Sequence, residues 1–293
     1  MNDFTIFISS CDRYSDTWYP FFTLLSKYGG SLCNRPICLC SETKTYTHPS
    51  LSIRTFKYKK HATWSQRVIE ALSTIETEYI LFIIDDYFLL DYINEETLQR
   101  TLDYLNSHKD VGYLAIPNKP NELNTDCTEV AEKVDLTTKR LYLTVSFWRT
   151  DYMKKILRKH ESIWDFERYS VLRAHLYPEQ VMRLNPSYPI LYHYMQPSSV
   201  NNGMNVVGEG YGVVRGRWLR STKELFEQHG IEVCFENMGW YQPIDVVPIT
   251  PPRFLEKLGK KSPLIARVDR FIQKRKRKMA QRKKKKFLQK SSQ

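Results

Sequence analysis

Apolar positions in the first half of the chain fall alternately into strand-like and helix-like periods, which is the signature of an α/β layer fold with a largely parallel sheet. Phe4 to Ser9 reads as a strand, and Trp18 to Tyr28 as a helix with a buried face of Phe21, Phe22, Leu24 and Leu25, stopped by Gly29-Gly30. Pro36 to Ser41 and Leu51 to Phe56 read as short strands. Thr63-Trp64-Ser65-Gln66 can serve as a capping box for a helix with an apolar face of Val68, Ile69, Leu72 and Ile75. Tyr79 to Ile84 is continuously apolar, as a central strand buried on both faces should be, and it ends abruptly in Asp85-Asp86.

The alternation continues with a helix from about Asn94 to Ser107, a strand from Val111 to Ile116 and a strand-like Arg140 to Phe147. Residues 150–176 read as helical with a break near Ser162-Ile163-Trp164. A stretch rich in Gly and Asn follows (Asn201-Asn202-Gly203, Gly208, Gly210, Gly212), which predicts a loop. No internal repeat is apparent.

Composition adds two constraints. The 293 residues are 42% hydrophobic and 13% aromatic, enough for a sizeable core, with an aromatic surplus of the kind that stacks on sugars or bases as well as filling interiors. The six Cys form no CxxC pair and have no companion His at zinc-finger spacing, so free thiols in a reducing compartment are expected. No charged n-region with a cleavage site and no membrane-length apolar run is visible, so a cytoplasmic location is expected. P-loop, G-x-S-x-G and H-E-x-x-H patterns are also missing, which removes P-loop NTPases, common serine hydrolases and zincins from consideration.

The net charge of +12 is localised. From Arg253 onward there are 17 Lys and Arg against Glu256 and Asp269, a formal +15, leaving −3 for residues 1–252. The expected organisation is therefore an enzyme domain over 1–252 (a nucleotide half, 1–120, and an acceptor half, 121–252) and a basic tail over 253–293. Leu264, Ile265, Val268, Phe271 and Ile272 at helical spacing, followed by clustered Lys and Arg, read as an anionic-membrane anchor over 264–290, which would place the protein at the inner face of the membrane. Nucleic-acid binding by the tail is the disfavoured rival, since the body is acidic and carries no recognisable RNA module.

Asp85-Asp86 is the strongest chemical signal. Two adjacent carboxylates at the carboxyl end of a buried parallel strand are costly unless something positive sits on them. A hard divalent cation bridging to a diphosphate is one solution, because open α/β sheets bind ligands at that edge. An acidic loop following a core strand is the other.

The order of Cys11-Asp12-Arg13-Tyr14 after the first strand, Trp64-Ser65-Gln66-Arg67 opening a capped helix, and a hydrophobic strand running into Asp85-Asp86-Tyr87-Phe88 resembles the nucleotide-sugar half of GT-A glycosyltransferases. The likeness is to family-2-like enzymes of bacterial surface-polysaccharide (capsule or lipopolysaccharide) biosynthesis. Ser146-Phe147-Trp148-Arg149 and Ser162-Ile163-Trp164-Asp165-Phe166-Glu167 are similar to the acceptor-side pattern of the same group. The resemblance implies a Rossmann-like, mixed and mainly parallel sheet flanked by helices. It departs from the usual Asp-X-Asp in having Asp85-Asp86, with Phe88 where a further acid would stand.

The resemblance also implies roles. Asp12 would face the uracil or ribose of a nucleotide-sugar donor, UDP-sugar being favoured, or else be a turn Asp. Arg67 would lie near the diphosphate, with Arg215 and Arg217 on a Gly-rich lid from Gly208 to Arg217. Asp85 and Asp86 would hold Mn2+ or Mg2+ and the donor, with His193 closing the metal site or sitting as a rim His. For an inverting hexosyltransferase Glu167 is the first choice of base and Asp165 the second. Trp148 and Trp164 would meet a glycan or lipid-linked acceptor. A non-catalytic RNA- or membrane-tethered binding protein with a degenerate GT-A fold is the alternative.

Overall fold

The computed structural model describes residues 4–59, 61–116, 129–134, 136, 141–185, 188, 190, 212–214 and 216–241. The basic tail therefore lies outside the described residues, as do His193 and Arg215.

Eight strands, β1 (Phe4–Ser9), β2 (Ile37–Ser41), β3 (Ile53–Lys57), β4 (Tyr79–Ile84), β5 (Val111–Ala115), β6 (Ala131–Lys133), β7 (Ser146–Arg149) and β8 (Gln180–Leu184), form one sheet. Its order is β3-β2-β1-β4-β7-β5-β8-β6. The pairs β1–β2, β2–β3, β1–β4 and β5–β8 are parallel, while β7 runs antiparallel to both β4 and β5, and β6 antiparallel to β8. The protein is thus a mixed α/β fold with a mostly parallel sheet.

Alternation along the central strands supplies both faces. On β1, Phe4, Ile6 and Ile8 join the cluster that takes in Phe21, Phe22 and Leu24 of α1 (Trp18–Tyr28), and Leu98, Leu102 and Leu105 of α3 (Glu95–Ser107). Phe7 points the other way, into a cluster with Val68, Ala71 and Leu72 of α2 (Trp64–Leu72), Tyr152, Met153 and Ile156 of α4 (Thr150–Ile156), and Phe166 of α5 (Ile163–Ala174). β4 divides likewise, Tyr79, Leu81 and Ile83 against Ile80 and Phe82. A strand covered on both faces has no polar side to present, which is why its sequence is an unbroken apolar run.

Local chemistry sets the helix starts. The Thr63 hydroxyl accepts from Gln66 N–H while the Gln66 side chain accepts from Thr63 N–H, and Ser162 and Asp165 repeat this reciprocal arrangement at α5. A hairpin of β9 (Val213–Val214) and β10 (Arg217–Trp218) leads into α6 (Ser221–Gln228).

The strand expected over Arg140 to Phe147 begins instead at Ser146. Leu141 and Leu143 are buried and Tyr142 is exposed, a strand-like alternation, but the Leu143 N–H is taken by the Glu167 carboxylate rather than by a neighbouring strand. β8, β6, the short hairpin and α6 escape the sequence reading, being brief or mixed in polarity. Cys11, Cys33, Cys38, Cys40 and Cys234 are free thiols. No described helix is long and apolar enough to cross a membrane.

Candidate active site

The parallel register of the central strands assembles the site. Ser9 of β1 lies opposite Ile84 of β4, so the next residues, Ser10 and Asp85, emerge side by side at the carboxyl edge. Ser10 Oγ donates to Asp85 Oδ2 and accepts from Trp18 Nε1 at 2.7 Å. On the other flank Cys40 of β2 lies opposite Ser9, which brings Glu42 beside Cys11 and Asp12. Three strand ends thus converge: Asp85-Asp86, Ser10-Cys11-Asp12 and Glu42.

Asp85 and Asp86 are only 2% and 4% exposed. Burial pushes the Asp85 carboxyl up to about 7, against the pull of the donors on Ser10, Thr17 and Trp18. Burial, together with the Asp85 charge, drives Asp86 well above the usual carboxylate range, although the Val213 N–H donates to it. The start of the β9–β10 hairpin is anchored here, since Gly212 N–H also donates to the Asp86 carbonyl at 3.0 Å. Even so, Asp86 Oδ1 is buried without a hydrogen-bond partner among the described residues. Tyr14 belongs to the same environment, its phenol pushed up to about 12 by burial and by the charges of Asp86 and Asp85.

An acceptor-only oxygen with unspent capacity, beside a second buried carboxylate, fits a hard divalent cation, which takes carboxylate and phosphate oxygens. Among the described residues no group of three or more His, Cys, Asp or Glu side chains comes together as a metal cage. A cation at this pair would need further oxygens from a ligand such as a diphosphate.

Asp12 is tied into the strand edge. Its carboxylate accepts from the N–H groups of Thr43 at 2.9 Å, Lys44 at 3.0 Å and Glu42 at 3.3 Å, and from the Thr43 hydroxyl. Burial works against its ionisation, but these donors outweigh it and hold the carboxyl at about 2. The arrangement pins the turn after β2, so Asp12 has the turn role that its sequence position left open. Arg67 is buried in the first turns of α2, with Nη1 3.1 Å from Glu42 Oε1 and 3.2 Å from the Ala62 carbonyl. Glu42 is the residue that sequence reasoning missed. Its signal was available: an acid just past a parallel strand adjacent to the one ending in Ser10.

The acceptor-side residues divide. Trp148 is 0% exposed, donates from Nε1 to Ser146 Oγ, and packs against Tyr113 and Phe166. A fully buried indole has no face to offer an acceptor, so its expected binding role is corrected to a core one. Trp164 is 70% exposed on the first turn of α5. The Asp165 carboxylate accepts from the Ser162 N–H and hydroxyl at 3.1 and 2.7 Å, as the return arm of a capping box. Glu167 Oε1 accepts from Leu143 N–H at 2.9 Å. Arg217 and Asp12 line one cleft, apart from the carboxylate pair. His193 and Arg215 lie outside the described residues.

No protein-family profile matches the chain, and no curated protein matches it. Among solved structures, S. aureus TarS 1-349 matches with a TM-score of 0.46 at 18% identity, over 65% of this chain and 60% of that one. The same protein in complex with UDP-GlcNAc gives 0.43 at 18% identity, over 65% and 58%. The mannosyltransferase PcManGT from Pyrobaculum calidifontis, in complex with GDP-Man and Mn2+, gives 0.46 at 8% identity, over 66% and 57%. The chain spans less than two thirds of the length of each of these chains.

Proposed function

We propose that the chain is a glycosyltransferase that moves a sugar from a nucleoside-diphosphate donor to a glycan or lipid-linked acceptor, in bacterial surface-polysaccharide synthesis of the capsule or lipopolysaccharide kind. The observation that carries this reading is the buried Asp85-Asp86 pair at the carboxyl edge of β4: among the described residues Asp86 Oδ1 is unpartnered and no basic side chain is bonded to either acid. Such a pair is a cost to the folded protein that a bound cation and diphosphate would relieve. A Mn2+ or Mg2+ ion held by Asp85 and Asp86 would neutralise charge on the departing nucleoside diphosphate.

The remaining steps belong to the chain's own groups. Ser10, itself held by Trp18, fixes the rotamer of Asp85, and Val213 N–H orients Asp86. Glu42 and Arg67 stand beside Asp12, in position to frame the nucleoside end of a UDP-sugar. Glu167 is the preferred base for an inverting transfer, taking the acceptor hydroxyl proton onto its carboxylate, with Asp165, which completes the α5 cap, as the second choice. Trp164, exposed one turn earlier, offers an indole face to the acceptor. The basic tail over 264–290 would hold the enzyme at an anionic membrane surface where a lipid-linked acceptor resides.

Thermal shift with UDP, GDP, UDP-GlcNAc and GDP-Man, with and without Mn2+, tests the reading in wild type and Asp86→Asn. Metal-dependent stabilisation by one nucleotide class, lost in the variant, is expected. No shift with any nucleotide would overturn it and favour a binding protein of the same fold. Deleting 264–293 should release the protein from anionic vesicles while leaving transfer to a soluble acceptor intact.

A further inference from the structure

The starts of α2 and α5 form one surface. Thr63, the α2 cap, donates from its hydroxyl to the Lys159 carbonyl, and Ser65 N–H donates to the Glu161 carbonyl at 3.2 Å. These bonds lay the segment between β3 and α2 against the segment between α4 and α5. Trp64 packs on Phe166 with ring centres 5.5 Å apart and donates to Ser9 Oγ, at the end of β1, at 2.9 Å. The surface therefore borders the sheet edge from which Asp85 and Asp86 emerge.

What it exposes is cationic and aromatic. Lys57, Lys59, His61, Lys159 and His160 are exposed. Among the described residues Lys57 and Lys159 make no ion pair or side-chain hydrogen bond, and Lys59 meets only the Tyr58 ring, 5.8 Å from its centre. No acid occurs between Lys57 and Gln66. The two acids of the facing segment are buried, Glu161 held by Arg173 and Asp165 completing the α5 cap. Of the six tryptophans, all among the described residues, Trp164 alone is exposed. Tyr142, 51% exposed, precedes Leu143, whose N–H is held by Glu167, one turn beyond Trp164 on the same side of α5. Both helices begin at this surface, so the positive ends of their dipoles add to its field.

Uncompensated lysines beside exposed rings match the surface of an anionic bilayer. Trp and Tyr favour the boundary between headgroups and acyl chains, and Lys is drawn to the negative leaflet. A soluble anion would account for the lysines but would leave the indole in water. Single-stranded nucleic acid calls for cations along a groove with ring after ring to stack on, whereas here two rings stand together at one helix start. We infer that the α2–α5 surface docks on an anionic phospholipid bilayer, with Lys57, Lys59 and Lys159 at the headgroups and Trp164 and Tyr142 at the acyl boundary. This contact belongs to the body of the protein and is distinct from the basic tail, whose charge alone sets no orientation. Docking there brings the Asp85-Asp86 edge to the bilayer. Its use for a lipid-linked acceptor rests on the glycosyltransferase reading, whereas the contact itself does not.

The test mixes the full chain with phosphatidylglycerol vesicles whose acyl chains are brominated, which quench an indole only where it reaches the acyl boundary. Partial quenching of the tryptophan emission is expected in wild type and its absence in Trp164→Phe. Vesicle binding should weaken about fivefold in each of Lys59→Gln and Lys159→Gln, the loss that follows from about 1 kcal/mol per surface charge. Both lysines are exposed, so the melting midpoints of these variants should match wild type. Sedimentation with the vesicles but no quenching means that the tail alone binds, and overturns the inference. So does quenching that survives in Trp164→Phe, or binding unchanged in both lysine variants. An oligouridylate whose binding weakens in the lysine variants, while brominated vesicles leave the indole unquenched, marks a nucleic-acid surface and also overturns it. Nucleotide stabilisation lost in Asp86→Asn is a separate readout, so failure of one reading leaves the other measurable.

Discussion

Two buried acids in this molecule are treated in opposite ways. Glu161, 2% exposed, sits at the turn before α5 and receives both nitrogens of Arg173, Nη1 at 2.9 Å and Nη2 at 2.7 Å. Its backbone carbonyl takes the Ser65 N–H of α2, and Arg173 Nε reaches the Ile156 carbonyl at the end of α4, so one ion pair ties three helices together. Asp86, 4% exposed, has a carboxylate neighbour and one backbone donor. The fold builds a bidentate partner for one buried carboxylate, and among the described residues no cationic side chain is bonded to the other. The difference separates charge that holds structure from charge left uncompensated among the described residues.

The largest effect should come from breaking the first arrangement. Arg173→Ala leaves Glu161 buried without its partner, a type of change that costs about 3–5 kcal/mol. Chemical denaturation should show a loss of that order, with α2 and α5 losing amide protection first. A loss within about 0.5 kcal/mol, typical of surface substitutions, would mean that solvent reaches Glu161 and the contrast with Asp86 fails.

The second arrangement should respond with the opposite sign. Burial raises both carboxyls, Asp85 to about 7, so the metal-free protein is fully stabilised by their neutral forms below the unfolded carboxyl range. That stability is lost as pH rises through the folded values, from about pH 4 to beyond pH 7. In chelator the melting midpoint of wild type should therefore fall over this window, and that of Asp86→Asn should fall less. At pH 8 the variant should be more stable by about 1 kcal/mol or more, roughly 2–4 °C for a domain of this size. Parallel midpoint curves would show that the pair is satisfied in a way that the sheet edge does not explain.

Much of the contrast was legible in residue order. The unbroken run from Tyr79 to Ile84 required a strand covered on both faces, and two acids directly after it had to stand at the sheet edge. The cap at Thr63 was equally readable, because a capping box is a contact within four residues. Pairings across the sheet were not readable. Nothing local says that β7 inserts antiparallel between β4 and β5, and that insertion is what carries Trp148 into the core. Glu42 and Glu161 were missed for a related reason: each acquires its meaning from a partner outside its own turn, Arg67 on α2 and Arg173 at the far end of α5 respectively. The alternation of Leu141, Tyr142 and Leu143 misled because burial against a helix produces the same pattern as burial within a sheet.

The smallest effect concerns Asp165, which lies between the two cases. It is buried like Asp86, yet its carboxylate accepts from the Ser162 N–H and hydroxyl and completes a cap. Ser162→Ala should cost about 1 kcal/mol, the usual worth of an N-cap hydroxyl, and Asp165→Asn no more than that, since an amide oxygen can still accept the Ser162 N–H. Both variants should retain sugar transfer once their slightly lowered midpoints are allowed for. A fall in turnover of a hundredfold or more in Asp165→Asn, with Ser162→Ala unaffected, would instead give Asp165 the proton-accepting role, because general-base loss is of that size and a cap is not. Glu167→Gln is the companion measurement, and the large loss is expected there.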